Sequence, residues 1–342
     1  MKTKTWATAI FILQLGCLGW SQTTEFVNAQ FNKDGKRLNV AIFVFPGVQV
    51  IDFAGPYEVF LESGTNVYTV GEKLDPIQAA GGLTITPKYT FETTPKPDLL
   101  VLPGGGYYKP GDHGVGDQMV NPVAMRWIQE TAKQTHVLTV CNGAFLAAKA
   151  GLLDGLSATT FYGYLSGLPE VSPTTKVVFD KKFVDNGNVV TTAGLSSGIE
   201  GSLHMVSKLL GNGHAQSTAL NMEYNWNPNS GFARGMLADM NIPDELPDGL
   251  PKGSDLLSAS GDRDHWTITV RIPSQEGAPA ILRSIDASLV KSGKWFKATS
   301  PAGETVSGWN FSDHFGAKWL AVISLTPDQG STLLLTLKID RA

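Results

Sequence analysis

The sequence predicts an α/β fold, a parallel sheet with helices on both faces, followed by a small C-terminal α+β domain. Three observations carry this. From Leu38 to about Leu210, apolar runs of strand length alternate with amphipathic stretches, as buried parallel strands and their crossover helices do. After about Tyr224 the alternation stops in a stretch rich in Asn, Pro, Gly, Asp and Ser, and a second patterned block begins at Asp262. A chain of 342 residues, at about 150 per domain, also asks for more than one domain.

The elements follow in order. Asn39–Phe45 is a continuous apolar run, as a strand covered on both faces should be. Pro56–Leu61 predicts a short helix, Asn66–Val70 a second strand, and Asp98–Leu102 a third that stops at Pro103 and three glycines. Pro122–Lys133 has helical spacing, with Val123, Trp127 and Ile128 facing inward. His136–Val140 is another strand and Gly143–Ala150 another helix. Val177–Phe179 and Val189–Thr192 predict two strands separated by the turn Asp185-Asn186-Gly187-Asn188, and Gly198–Leu210 a helix closed by Gly211. In the second block, Trp266–Ile272, Trp319–Leu325 and Thr332–Ile339 read as strands and Ala278–Leu289 as a helix.

The start of the chain is different in kind. Lys2 and Lys4 precede an apolar run from Trp6 to Leu15, with small residues at Gly19 and Ser21, which describes a secretory signal cut after Ser21. The run is too short for a stable membrane span. Leu13-Gln14-Leu15-Gly16-Cys17 is a poorer match to a lipoprotein box, because Gln14 stands where an aliphatic residue is wanted. The expected organisation is therefore a signal peptide over 1–21, an N-terminal linker over 22–36, a main domain over 37–224, a linker over 225–261 and a C-terminal domain over 262–342. The expected destination is the periplasm or the extracellular space.

Charge excludes some functions. The chain has 27 Lys and Arg against 31 Asp and Glu, and losing Lys2 and Lys4 with the signal takes the net charge from −4 to −6. Residues 231–342 hold 11 basic and 13 acidic residues, so no basic module for nucleic acid is expected there. Cleavage would also remove Cys17 and leave Cys141 as the sole cysteine, either buried and inert or kept for its chemistry. The six histidines are scattered, with no pair at i,i+4, so no metal site is expected. His204 reads as a satisfied core residue, and His113 is the one nearest the glycine cluster. No cofactor is expected.

Three local patterns carry chemistry. In Val140-Cys141-Asn142-Gly143-Ala144-Phe145 a strand runs into a helix with cysteine at the junction, the layout of a nucleophile elbow. Thr139 replaces the glycine such an elbow has two residues earlier. A helix start there should favour thiolate; the bland alternative is a small hydrophobic cysteine ending a core strand. Leu102-Pro103-Gly104-Gly105-Gly106 supplies backbone N–H groups able to approach a ligand, or is a plain tight turn. Asp52, in the apolar run Val50-Ile51-Asp52-Phe53, is costly to bury unless paired or protonated, or is a helix cap. Tyr107 and Tyr108 read either as pocket wall or as exposed loop residues, and Trp295, Trp309 and Trp319 as core.

These stretches, with Phe45-Pro46-Gly47, Asp52-Phe53-Ala54-Gly55-Pro56, Ala150-Gly151-Leu152-Leu153-Asp154-Gly155, Ala158-Thr159-Thr160 and Thr192-Ala193-Gly194 through Ser197-Gly198-Ile199-Glu200, resemble the ThiJ/PfpI family of the class I glutamine amidotransferase-like superfamily. Within it they are most similar to the branch of isonitrile hydratases and AraC-type regulator ligand domains. The resemblance covers about residues 37–222. It implies a flavodoxin-like sheet with a nucleophile elbow, and it makes Cys141 the nucleophile and Asp52 the acid hydrogen-bonded to it. Backbone N–H groups of Gly105 and Asn142 would form the oxyanion pocket, with Tyr107 and Phe161 in the substrate-binding wall. It also implies a homodimer acting on a small-molecule substrate. Two departures stand out: Asn142 follows the cysteine where peptidase-like members have His, and Phe161 follows Thr160 where the hydratase and regulator branch often has His. The implied activity is cysteine-dependent attack on a small electrophile, isonitrile hydration through a thioimidate being the leading case. A glyoxalase- or deglycase-like activity and a non-catalytic secreted ligand-binding or redox-responsive protein are the alternatives.

Overall fold

The computed structural model describes residues 37–111, 113–227, 250–261, 264–274, 276–313 and 316–342. The signal peptide, Cys17 and most of the 225–261 stretch lie outside the described residues. Two compact units are present, each with its own hydrophobic core: one over residues 37–178 and 182–227, the other over 250–342.

The first unit is built on a seven-stranded sheet. In spatial order its strands are Phe183–Asp185, Val189–Thr192, His136–Thr139, Leu99–Leu102, Asn39–Phe43, Asn66–Gly71 and Tyr89–Thr90. All neighbours are parallel except the first pair, a hairpin at the edge. Leu99–Leu102 and Val189–Thr192 are buried at every residue, as the continuous apolar runs require. Sites in such sheets form beyond the carboxyl ends of the strands, where Phe43, Leu102, Thr139 and Thr192 stand together.

Several expectations are corrected. The first helix is Val50–Glu62, not Pro56–Leu61; Pro56 sits inside it, and Asp52 lies buried in its first turn rather than capping it. The helix Pro122–Ala132 buries Trp127 and Ile128 but leaves Val123 exposed, because Val123 begins the first turn beside the Asn121 cap. The strand before the Asp185–Asn188 turn is Phe183–Asp185, since a tight turn joins adjacent antiparallel strands. Val177 instead belongs to a separate two-residue pairing with Ser157–Ala158. The helices Val115–Val120 and Asn212–Asn221, one very short and the other with little apolar face, were not read from the sequence.

The second unit is a six-stranded antiparallel sheet with the helix Ala278–Ser292. Trp295, Trp309 and Trp319 are buried in its core as expected. It begins earlier than residue 262: Asp255–Gly261, assigned to the linker by its polar composition, pairs with His265–Pro273 as the exposed edge strand. Edge strands carry little apolar signal, which also hid Phe296–Ala302 at the opposite edge. Among the described residues no helix is long and apolar enough to cross a membrane.

Candidate active site

The strand His136–Thr139 ends at Val140 and the chain turns sharply at Cys141, whose φ is +57°. A non-glycine residue in this left-handed region is strained by about 1–2 kcal/mol, so its surroundings must hold it there. They do so from three sides. The Cys141 N–H donates to the Ala193 carbonyl at 3.1 Å, the Thr160 hydroxyl donates to the Cys141 carbonyl at 2.7 Å, and Gly143 N–H donates to Val140 O at 2.9 Å. Sequence and structure agree on the elbow.

Asp52 reaches the same place from the first turn of its helix. Its side chain is fully buried, and neither carboxyl oxygen completes a hydrogen bond of normal geometry. The Cys141 thiol and backbone groups of Gly104 and Leu195 are the polar groups that face it. Burial pushes the carboxyl up to about 6, against the lowering effect of those neighbours. The Cys141 thiol, 8% exposed, is itself held well above its ordinary value by burial and then by the charge of Asp52. Backbone groups of Asn142 and Leu195 face the sulfur and work the other way, but they are outweighed. The lowered thiol pKa expected from a helix start is thus reversed: the following helix, Ala144–Lys149, is six residues long, and desolvation beside a carboxylate is the larger effect.

The glycine cluster is clamped rather than open. Gly105 N–H donates to Asn142 Oδ1 at 2.8 Å, and Asn142 Nδ2 donates to Gly106 O at 2.8 Å. The Gly105 N–H assigned to an oxyanion pocket is therefore already engaged, and the Asn142 backbone faces the Cys141 sulfur. Gly104 is obligatory on contact grounds: a Cβ there would lie 2.2 Å from Asn142 Oδ1 and 2.8 Å from Asp52 Oδ2.

The wall is aromatic. Phe161 covers Gly194, where a Cβ would lie 2.5 Å from the Phe161 ring and 3.4 Å from Cys141 Sγ, so Phe161 flanks the thiol. Tyr164 follows one turn later, with its ring centroid 5.6 Å from that of Phe161 and 5.4 Å from that of Tyr107. Tyr107 joins this aromatic cluster, while Tyr108 is stacked on Phe145 at 4.5 Å with its hydroxyl directed at Glu170. His113 is not in the site: its side chain is 84% exposed and stands 3.6 Å from Asp117. His204 is satisfied, by Asp185 at 2.8 Å, but on a half-exposed face rather than in the core. Leu195 and Tyr164 escaped the sequence reading, although the aromatic run after Thr160 was a signal for the second. Among the described residues no group of three or more His, Cys, Asp or Glu side chains is arranged to hold a metal ion.

The family model for the DJ-1/PfpI family matches residues 38–208, which contain every residue of this site. The chain belongs to the DJ-1/PfpI family. Isonitrile hydratase from Pseudomonas putida is 33% identical over 189 residues, covering 55% of this chain and 78% of that protein. The HTH-type transcriptional regulator GbdR of Pseudomonas aeruginosa is 28% identical over 134 residues, covering 39% of this chain and 34% of the regulator. Among solved structures, a ThiJ/PfpI family protein from Pseudomonas syringae is 27% identical with a TM-score of 0.51, covering 59% of this chain and 81% of that one. As a DJ-1/PfpI protein the chain carries an addition: its second sheet unit lies beyond the matched residues.

Proposed function

We propose that this DJ-1/PfpI protein is a cysteine-dependent enzyme that hydrates an isonitrile to an N-substituted formamide. The observation that carries the proposal is the pairing of a strained, nearly buried Cys141 with a fully buried Asp52 carboxyl that has no other side-chain partner. A buried acid in that state is expensive to keep for structure alone, and strongly shifted groups gather at functional sites. The 33% identity to isonitrile hydratase supports the substrate class.

The atoms balance without an electron carrier. The Asp52 carboxylate takes the Cys141 proton as sulfur bonds to the terminal isonitrile carbon, and that proton then passes from Asp52 to the same carbon. The product is a thioimidate, with sulfur on a CH=N–R group. Water adds to this carbon, a proton reaches the nitrogen, and the carbon–sulfur bond breaks with a proton returning to sulfur. The formamide leaves and the thiol is restored. A thiol that stays protonated at rest suits this sequence, because the same proton is consumed in the first step.

The test is a panel of alkyl and aryl isonitriles and of 1,2-dicarbonyls, with wild type and Cys141→Ser, followed by mass spectrometry. Formamide from wild type, reduced at least about 1,000-fold in Cys141→Ser, is expected. Turnover of dicarbonyls alone would select a glyoxalase-like activity instead. Saturable binding with no turnover of either class would make the protein a ligand-binding module, the reading that the likeness to a regulator favours.

Two properties belong to the same proposal. The mature protein is exported and begins near Gln22, which N-terminal mass spectrometry of the native protein checks; an intact Met1 would refute it. It is a homodimer, and a single monomer-sized species in sedimentation at micromolar protein would refute that.

A further inference from the structure

We infer that the Tyr164 hydroxyl is the hydrogen-bond donor to the substrate heteroatom that gains negative charge as the Cys141 adduct forms or is attacked by water. This rests on the proposed cysteine chemistry and adds a residue to it.

The N–H donors named at the site are committed elsewhere. On an isonitrile, sulfur attack leaves the electron pair on the carbon that Asp52 protonates. Water attack on the thioimidate, like thiol addition to an electrophile conjugated with a carbonyl, then moves negative charge onto nitrogen or oxygen, and enzymes meet such charge with a preorganised N–H or O–H group. Gly105 N–H is engaged by Asn142 Oδ1, and backbone groups of Asn142 and Leu195 face the sulfur itself. Phe161, which flanks the thiol, has no proton to donate. Asp52 is already assigned to the thiol proton.

Tyr164 is placed to fill that role. Thr160 is anchored to the Cys141 carbonyl, and the chain then enters a 3₁₀ turn over Tyr162–Gly167, in which Tyr164 N–H donates to Phe161 O at 3.0 Å. Tyr164 packs against Phe161, the ring that flanks Cys141, with their ring centroids 5.6 Å apart. Edge-on contacts with Tyr107, Tyr108 and Phe161 fix the plane of its ring. Among the described residues its hydroxyl has no hydrogen-bond partner. Burial, and then the proximity of Cys141 and Tyr107, hold its phenol above the usual value. The phenol therefore stays protonated across the neutral range, as a donor must.

In the hydration sequence the phenol donates a hydrogen bond to the thioimidate nitrogen. As water adds to the carbon, the phenol proton passes to that nitrogen, and the proton released by the water returns to the phenol oxygen. Tyr164 ends each turnover unchanged.

The test compares Tyr164→Phe with wild type, and with Tyr162→Phe as the control that loses a neighbouring hydroxyl. Two amide reagents of similar size modify Cys141: acrylamide, whose carbonyl oxygen gains charge during addition, and iodoacetamide, whose charge leaves on iodide. Tyr164→Phe should slow acrylamide at least about 10-fold and leave iodoacetamide within about twofold, while Tyr162→Phe changes neither. Incorporation of 3-fluorotyrosine at position 164, which keeps the ring and strengthens the donor, should raise the acrylamide rate relative to iodoacetamide. On any isonitrile turned over by wild type, kcat should fall on the order of 100-fold in Tyr164→Phe with KM little changed. An acrylamide-to-iodoacetamide ratio unchanged in both Tyr164 variants would overturn the assignment, as would equal slowing of both reagents by Tyr164→Phe. The reagent ratio tests Tyr164 even if wild type hydrates no isonitrile, so its failure is separable from failure of the proposed function.

Discussion

Asp52 has consequences for stability and for rate, and they run in opposite directions. Its carboxyl titrates near 3.8 when solvated and at about 6 in the folded protein, because burial penalises the charge. The native state therefore holds its proton after the unfolded chain has released it, and stability falls as pH rises between those values. The cost is absent below about pH 4 and complete above about pH 6, where it is worth ~3 kcal/mol. Asp52→Asn should raise the unfolding temperature at pH 7.5 and leave it unchanged at pH 3.5. Equal effects at the two pH values in calorimetry would contradict this account. The same carboxyl must be ionised to take the Cys141 proton, so kcat/KM should rise through an acidic limb near pH 6. That limb belongs to the Asp52–Cys141 pair and should vanish with Asp52→Asn along with most of the turnover. Both residues were legible as motif positions. The direction of the thiol shift was not, because a strand–helix junction announces nearby N–H groups and says nothing of how much water is excluded.

At the scale of elements, the site depends on how three short segments hold one another. Asn142 bridges the elbow and the glycine cluster with two 2.8 Å bonds, and it is completely buried. Asn142→Ala would strand the Gly105 N–H and the Gly106 carbonyl, so a loss of about 2–4 kcal/mol in urea unfolding is expected. A loss below about 1 kcal/mol would mean that water replaces the amide. Thr160→Val keeps the shape of the third segment and removes its bond to the Cys141 carbonyl. It should cost about 1 kcal/mol and change the iodoacetamide rate of Cys141, since the strained φ loses one support. The sequence reading found the strand–helix junction and the glycine turn because each is written in consecutive residues. It took Asn142 for a backbone donor only, because the partner of its side chain lies 37 positions away.

The whole molecule is two units with separate cores, and each should unfold on its own account. Trp309 is 1% exposed in the second core, with its indole N–H donating to Ser307 at 2.8 Å. Trp309→Ala should lower one calorimetric transition by the equivalent of about 3–5 kcal/mol and leave the other, and Cys141 alkylation, unchanged. Movement of both transitions together would refute this independence. Taken alone, the sequence determined the parallel α/β architecture, the family and the two motif positions, Asp52 and Cys141, that meet at the candidate site. Burial on both faces writes continuous apolar runs, and a strained turn beside a helix writes small residues at set positions. Tertiary structure alone decided that Asp52 faces Cys141 while cut off from water, that Gly105 is engaged by Asn142, and that Tyr164 packs against Phe161, the ring that flanks the thiol. The parallel sheet gathers the ends of strands that lie far apart in the chain. Which side chains meet there depends on helix rotation and loop packing, and local sequence patterns do not encode these.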